Sequence, residues 1–172
     1  MKLAKDNIIL REWAQSDAER LAEIANNKKL YDNLRDALPY PYSINDARQY
    51  IALVQGDNKV FAIVVEGTVA GCIGGFLKED VYRMNAEIGY YLAEEHWGRG
   101  IMTKVIRIFT EFLFESFDIN RVYAEPFARN IGSRRSLEKA GFILEAVLRK
   151  SVIKNGIIED SCIYSMLKEN LN

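Results

Sequence analysis

"EIGYYLAEEHWGRGIMTKVIRIF", Glu87 to Phe109, changes its period halfway. Ile88, Tyr90 and Leu92 are apolar at every second residue, the spacing of a half-buried strand. Ile101, Val105, Ile108, Phe109, Phe112 and Leu113 return on one helical face. Between the two lies Trp97-Gly98-Arg99-Gly100, with almost no side-chain bulk. A strand that passes through two glycines into a helix sets up a particular electrostatic situation. The first helical turn carries backbone N–H groups with no partner inside the helix. The helix dipole adds partial positive charge at the same end. Glycine lets the chain adopt positive φ and lets an anion come close to the backbone. Arg99 adds a cation and Thr103 a hydroxyl donor.

Two better-known phosphate loops do not fit. No Gly-Lys-Ser/Thr follows, so this is no Walker A loop, and the third glycine of a dinucleotide fingerprint would fall on Thr103.

The chain around this loop is 172 residues long, within the usual span of one domain, 1–172. Its 23 basic and 24 acidic residues leave a net charge of −1. That gives no footprint for nucleic acid or an anionic membrane. No apolar run nears the about 18 residues that span a bilayer. "MKLAKDNIILREW" has neither the h-region nor the cleavage site of a signal peptide. Cys72 and Cys162 make no disulfide framework and lack metal-ligand spacing, and a reducing cytoplasm is the natural setting. His96 is the sole histidine. Zinc sites and Ser-His-Asp chemistry therefore lack their ligands, and no metal is expected.

The remaining pattern predicts a strand over 7–13, a helical stretch over 17–34 capped by Ser16, and a short helix over 44–54 begun by Ser43. Strands over 59–67 and 68–80 meet at Glu66-Gly67-Thr68. After the strand over 85–93, the glycine loop and its helix come a short strand (121–127) and a helix over 130–141 ended by Gly141. A long hairpin about Asn155-Gly156 closes the chain. The order β α α β β β α β α β β is an α/β (α+β) arrangement. Its mixed, mostly antiparallel sheet would have about seven strands, with helices on both faces.

"EIGYYLAEEHWGRGIMT" (87–103), followed by "NIGSRRSLEKAGF" (130–142), resembles the GNAT superfamily of acyl-CoA-dependent N-acyltransferases. Within it the chain is most similar to the RimJ/RimL-type branch, which includes ribosomal-protein N-terminal acetyltransferases and spermidine acetyltransferase. "IILREWAQSDAERLAEI", "PYPYSINDARQYI" and "NGIIEDSCIYSMLKEN" extend the likeness over nearly the whole chain. The resemblance implies the GNAT fold, acetyl-CoA as co-substrate and a primary amine as acceptor. The acceptor would be a protein or peptide N-terminal α-amine, or else a polyamine or other small amine. Direct attack would occur in a ternary complex. A chain that binds acyl-CoA without turnover, as a sensor or scaffold, is a further alternative. The sequence leaves room for a homodimer.

The resemblance also assigns positions. The pyrophosphate of coenzyme A would lie on the amides of Gly98, Arg99, Gly100, Ile101, Met102 and Thr103. The pantetheine arm would run beside Tyr91, Leu92 and Ala93, pairing with them as an added strand does. Asn130 would hydrogen-bond the arm, with Ser133 near the thioester. The superfamily prefers Gln or Arg three residues before the first glycine. Glu95 stands there and is expected to face solvent.

Charge arithmetic frames the chemistry. Freeing a lysine-like amine of its proton at pH 7 costs about 4.6 kcal/mol, against about 1 kcal/mol for an α-amine. Glu87, on the strand leading to the loop, is the candidate base; a carboxylate paired with an arginine across the sheet is the structural alternative. A strand N–H near Tyr91 would hold the oxyanion. A thiolate leaves at pH 7 at a cost of only about 2 kcal/mol, so acid help is modest. Where spermidine-type enzymes carry a tyrosine acid, this chain has Leu137, which leaves the Ser133 hydroxyl and, as a weaker substitute, Tyr164. Ser133 has a structural alternative too, as a first-turn serine satisfying helix amides. That weak acid favours an α-amine over a polyamine. Polyamine binders also tend to need acidic patches, here no more than Glu94-Glu95 and Glu159-Asp160. Trp13, Tyr31, Tyr40, Tyr42 and Phe76 are the aromatic candidates for an acceptor cleft.

Overall fold

The computed structural model describes residues 2–171. Thirteen regular elements follow one another: β1 (Lys2–Lys5), β2 (Ile8–Arg11), α1 (Ala18–Ala25), α2 (Lys28–Tyr31), α3 (Ile44–Val54), β3 (Val60–Val65), β4 (Thr68–Leu77), β5 (Asn85–Leu92), α4 (Ile101–Ser116), β6 (Arg121–Ala124), α5 (Ile131–Ala140), β7 (Ile143–Lys154) and β8 (Ile157–Leu167). The hydrogen-bonded strand order is β1-β2-β3-β4-β5-β6-β8-β7. Residues divide into two compact units, and both β4 and β5 run through the two.

The first unit holds the residues up to Gly74 together with Tyr90–Ile101. β1, β2, β3 and β4 form an antiparallel meander in it. All six residues of β3 are buried, which explains the unbroken apolar run VFAIVV. Glu66 and Gly67 connect β3 to β4 with φ of 51° and 84°, the positive pair a tight two-residue hairpin requires. Leu21 and Ile24 of α1 and Ala47 and Ile51 of α3 join Trp13, Val60, Ala62, Val64 and Cys72 in one apolar cluster. Ser43 caps α3, accepting from the Asp46 N–H, as the sequence predicts.

Three expectations fail in this unit. The stretch over 17–34 is not one helix: it breaks at Asn26-Asn27, and the Asn27 side chain accepts from the Leu30 N–H to start α2 afresh. Ser16 is not the cap of α1. It sits in a 3₁₀ turn, while the Asp17 carboxylate accepts from the Ala14 N–H (2.9 Å) and pairs with Arg11 at 2.6 and 2.8 Å. A charged acceptor anchored by a guanidinium wins over a serine hydroxyl. The first strand is shorter than 7–13, and β1 precedes it in an eight-stranded sheet. β1 is mostly exposed and carries no apolar alternation.

The second unit holds Gly75–Gly89 and the residues from Met102 on. β5 and β6 are parallel over three pairs, Asn85↔Arg121, Ala86↔Val122 and Glu87↔Tyr123. β6 ends at Ala124 while β5 continues to Leu92. β8 is antiparallel to β6 and β7, and Asn155 and Gly156 make the expected tight turn, with φ of 51° and 76°. Val105, Ile106, Phe109 and Leu113 of α4 are buried, and a Cβ on Gly75 would lie 3.1–3.4 Å from Leu113 and Phe109, so the glycine admits the helix to the sheet. Gly141, at φ 102°, ends α5, its N–H bonded to Glu138 O and that of Phe142 to Leu137 O (3.0 Å each).

Candidate active site

The path from β5 to α4 answers the question its glycines pose. After Leu92 the chain makes one 3₁₀ turn, Glu94–His96, then runs through Trp97 to Gly98 and Gly100, both at φ 72°. A Cβ on either would have nothing within 4 Å. Glycine is required by the left-handed backbone and not by crowding, and the outer side of the loop is open. The N–H groups of Ile101, Met102 and Thr103 open α4 and have no acceptor within the helix.

Trp97 secures the turn. Its indole N–H donates to the Leu92 carbonyl at 2.6 Å. The Arg99 guanidinium lies 3.1 Å from His96 Nδ1. Glu95, the departure from the family pattern, is half exposed as expected and also pairs with Arg20. Its own backbone N–H, and then Arg20, hold its carboxyl below the ordinary range. Glu94 is held by Asn27 (2.7 Å) and Lys29. Both carboxylates beside the loop therefore carry cationic or amide partners.

The end of β5 is set by Gly71, a residue the sequence reading passed over. A Cβ there would sit 2.2 Å from the Tyr91 carbonyl oxygen. A glycine inside the strand TVAGCIGGFL is the signal that could have found it. The Ala93 N–H donates to Ala70 O (2.7 Å), and the Ala93 carbonyl accepts from the His96 N–H (3.0 Å). Strand alternation then turns the backbone groups of Tyr91 and Ala93 toward β4 and those of Leu92 toward the opposite edge. Of the three residues expected to pair with a pantetheine arm, Leu92 is the one so directed. Burial, with Cys72 and Tyr50 alongside, pushes the Tyr91 phenol well above its ordinary range. Of the aromatic candidates for a cleft, Trp13 and Tyr42 belong to the core, the alternative account of them; Tyr31 stacks on Tyr40 at 5.1 Å, and Phe76 is exposed.

Glu87 closes the parallel β5/β6 ladder opposite Tyr123 and is 8% exposed. Its Oε2 accepts from Lys78 Nζ at 2.7 Å and from the Tyr123 hydroxyl at 3.3 Å. The hydrogen bond to Glu87 raises the Lys78 ammonium above its usual value. The cross-strand cation is thus a lysine, where an arginine was the structural alternative. Arg121 instead lies over the Tyr123 ring (4.8 Å) and pairs with Glu145. Neither Lys78 nor Tyr123 was singled out from sequence.

Asn130 and Ser133 meet in the first turn of α5. The Asn130 side-chain oxygen accepts from the Ser133 N–H at 3.2 Å, so Asn130 is the helix N-cap. The cap occupies one lone pair of the Asn130 oxygen, and its amide NH₂ is the donor it can offer a ligand. Leu137 is fully buried in the core. Tyr164 is buried as well; its hydroxyl donates to Glu138 (2.7 Å) and accepts from Arg134 (3.1 Å). Burial first, then Glu138, raises its phenol, which makes it a poor proton source. Among the described residues no three His, Cys, Asp or Glu side chains are grouped to hold a metal ion.

Residues 7–143 match the acetyltransferase (GNAT) domain family, and the chain belongs to it. It is an N-acetyltransferase of that family. An 82-residue stretch is 43% identical to the Probable N-acetyltransferase YjcK of Bacillus subtilis, spanning 48% of this chain and 45% of that one. Over 170 residues, 94% of this chain and 93% of the other, it is 24% identical to the ribosomal-protein-serine acetyltransferase of Escherichia coli. Among solved structures it resembles the microcin C7 self immunity acetyltransferase MccE in complex with acetyl-CoA and AMP, with TM-score 0.83, 28% identity and coverage of 95% and 93%. RimL, a ribosomal L7/L12 α-N-protein acetyltransferase in complex with coenzyme A, shares the fold with TM-score 0.87 over 100% of both chains at 21% identity. No helix among the described residues is long and apolar enough to cross a membrane.

Proposed function

We propose that the chain, acting as one domain over residues 1–172 in the cytoplasm, moves an acetyl group from acetyl-CoA to a primary amine, most readily the α-amine of a protein or peptide. The observation that carries this reading is the pair of left-handed glycines, Gly98 and Gly100, whose open side precedes the N-terminus of α4. A Cβ would enter the space in which phosphate oxygens meet the amides of 98–103. The MccE structure, which contains acetyl-CoA, supports the same donor here.

In this reading the amine gives its proton to Glu87, directly or through one water. It then attacks the thioester carbonyl, and the Leu92 N–H receives the developing oxyanion. Asn130 donates to the pantetheine arm through its amide, and the Ser133 hydroxyl serves the departing sulfur. The thiolate needs little help, since its departure at pH 7 costs only about 2 kcal/mol. With Leu137 in the core and the Tyr164 hydroxyl committed to Glu138, the acid side of the chemistry is weak. That weakness suits an α-amine. The acceptor likeness to ribosomal-protein acetyltransferases points the same way.

The test is release of free thiol from acetyl-CoA with lysine-free peptides bearing a free N-terminus, with spermidine and with an aminoglycoside. Transfer to the peptide in preference is expected. Preference for spermidine or the aminoglycoside would move the enzyme to small-amine acetylation. Tight coenzyme A binding without release on any amine would make the chain an acyl-CoA sensor or scaffold.

A further inference from the structure

Glu87 already holds a primary ammonium, and it is the chain's own. Lys78 Nζ lies 2.7 Å from Glu87 Oε2 and 5.6 Å from the centre of the Tyr123 ring, whose hydroxyl reaches the same carboxylate oxygen. The Glu87 side chain is 11% exposed, whereas that of Lys78 keeps 33%. The pairing follows from strand register: Lys78 N–H donates to Asn85 O (2.9 Å), which puts 78, 85 and 87 on one face of neighbouring strands. Lys78 and an acceptor ammonium have the same charge and the same donors. To lose a proton to Glu87, an acceptor must come within hydrogen-bond reach of that carboxylate or within one water of it. An acceptor that arrives charged therefore meets Lys78 at close range.

We propose that Lys78 is the residue that sets the acceptor class: an ammonium must displace Lys78 from Glu87 before it can give up its proton there, a barrier that falls most heavily on amines that are almost wholly charged. This inference rests on the reading of Glu87 as base. Near pH 7 roughly one α-amine in seven is neutral, against roughly one lysine-type amine in 2,500. A site guarded by a fixed cation thus selects protein and peptide N-termini over polyamines and lysine side chains by charge alone. Tyr123 takes part by donating to the same carboxylate oxygen as Lys78.

The experiment compares kcat/KM at pH 7 for wild type, Lys78→Met, Lys78→Gln and Lys78→Arg. The acceptors are a lysine-free peptide with a serine N-terminus and spermidine, and coenzyme A affinity is measured alongside by calorimetry. Lys78→Met and Lys78→Gln should raise the spermidine-to-peptide ratio about tenfold or more, chiefly through a lower KM for spermidine. Lys78→Arg, which keeps the charge, should keep the wild-type ratio, and coenzyme A affinity should not move. Lys78→Gln retains a donor to Glu87 and serves if Lys78→Met does not fold. An unchanged ratio in a folded, coenzyme-A-binding variant overturns the role of Lys78 and leaves acetyl transfer intact. A wild-type chain that transfers to no amine overturns the acetyltransferase reading, and the role of Lys78 with it.

Discussion

The indole N–H of Trp97 donates to the carbonyl of Leu92 at 2.6 Å and so ties the last residue of β5 to the residue that opens the glycine turn. The four residues between them, Ala93 to His96, are closed into a loop by one side chain. The contact fixes the direction in which the amides of 98–103 leave the strand. It also occupies a carbonyl lone pair on the edge of β5 that faces away from β4.

Trp97→Phe keeps most of the ring and removes the donor. A hydrogen bond of this kind contributes about 0.5–1.5 kcal/mol. Calorimetry should show coenzyme A binding weakened by roughly three- to tenfold, while the melting temperature changes little, because the side chain is 42% exposed. Unaltered affinity would mean that the turn keeps its shape without the latch.

Gly100→Val places a β-branched residue at φ 72°. The left-handed region costs an ordinary residue about 1–2 kcal/mol, and more when it is β-branched. The added Cβ has no protein atom within 4 Å, so beyond the backbone strain the damage falls on whatever occupies the open side of the loop. The dissociation constant for coenzyme A should rise at least about tenfold. A folded variant with wild-type affinity would show that the loop does not hold the pyrophosphate.

Asp17 gives the fold an acid limb. Burial pushes its carboxyl up, but the Arg11 guanidinium and the Ala14 N–H outweigh burial and leave it below the ordinary range. A group depressed in the folded state stabilises above its unfolded pKa, near 3.9, and loses that contribution as pH falls through the lower folded value. Asp17→Asn should destabilise by roughly 1–3 kcal/mol at pH 7. Urea melts should begin to converge with wild type below about pH 3.9 and meet once pH has passed the lower folded value. A constant difference between the two proteins down to pH 2 would exclude the Arg11 pair as its source.

What could be read in the sequence depended on how local its cause was. Gly98, Gly100, Gly141 and the pairs Glu66-Gly67 and Asn155-Gly156 answer to the φ of their own residue, and each lies where the pattern predicts. Ser43 was legible as the start of α3 for the same reason, though its partner in the capping box, Asp46, was not singled out. The break at Asn26-Asn27 is local too, but a periodic apolar run over 17–34 concealed it. Lys78 and Tyr123 reach Glu87 only through strand register, which brings together residues up to 36 apart in sequence. β1 is a mostly exposed strand, and nothing in KLAK announces it. Gly71 was legible as a glycine inside a strand; its reason, a carbonyl of β5 at 2.2 Å from its absent Cβ, was not.

Glu87→Gln measured across pH on a lysine-free N-terminal peptide separates proton transfer from everything else at this site, where Lys78 and Tyr123 hydrogen-bond the carboxylate. If Glu87 takes the amine proton, the rate at pH 7 falls by up to about sevenfold, the roughly 1 kcal/mol that deprotonating an α-amine costs. The deficit narrows as pH rises toward the pKa of the amine, near 7.8, because solvent then supplies neutral amine. Coenzyme A affinity stays at its wild-type value throughout. A Glu87→Gln enzyme with the wild-type rate and the wild-type pH profile would contradict the assignment of Glu87 as the base.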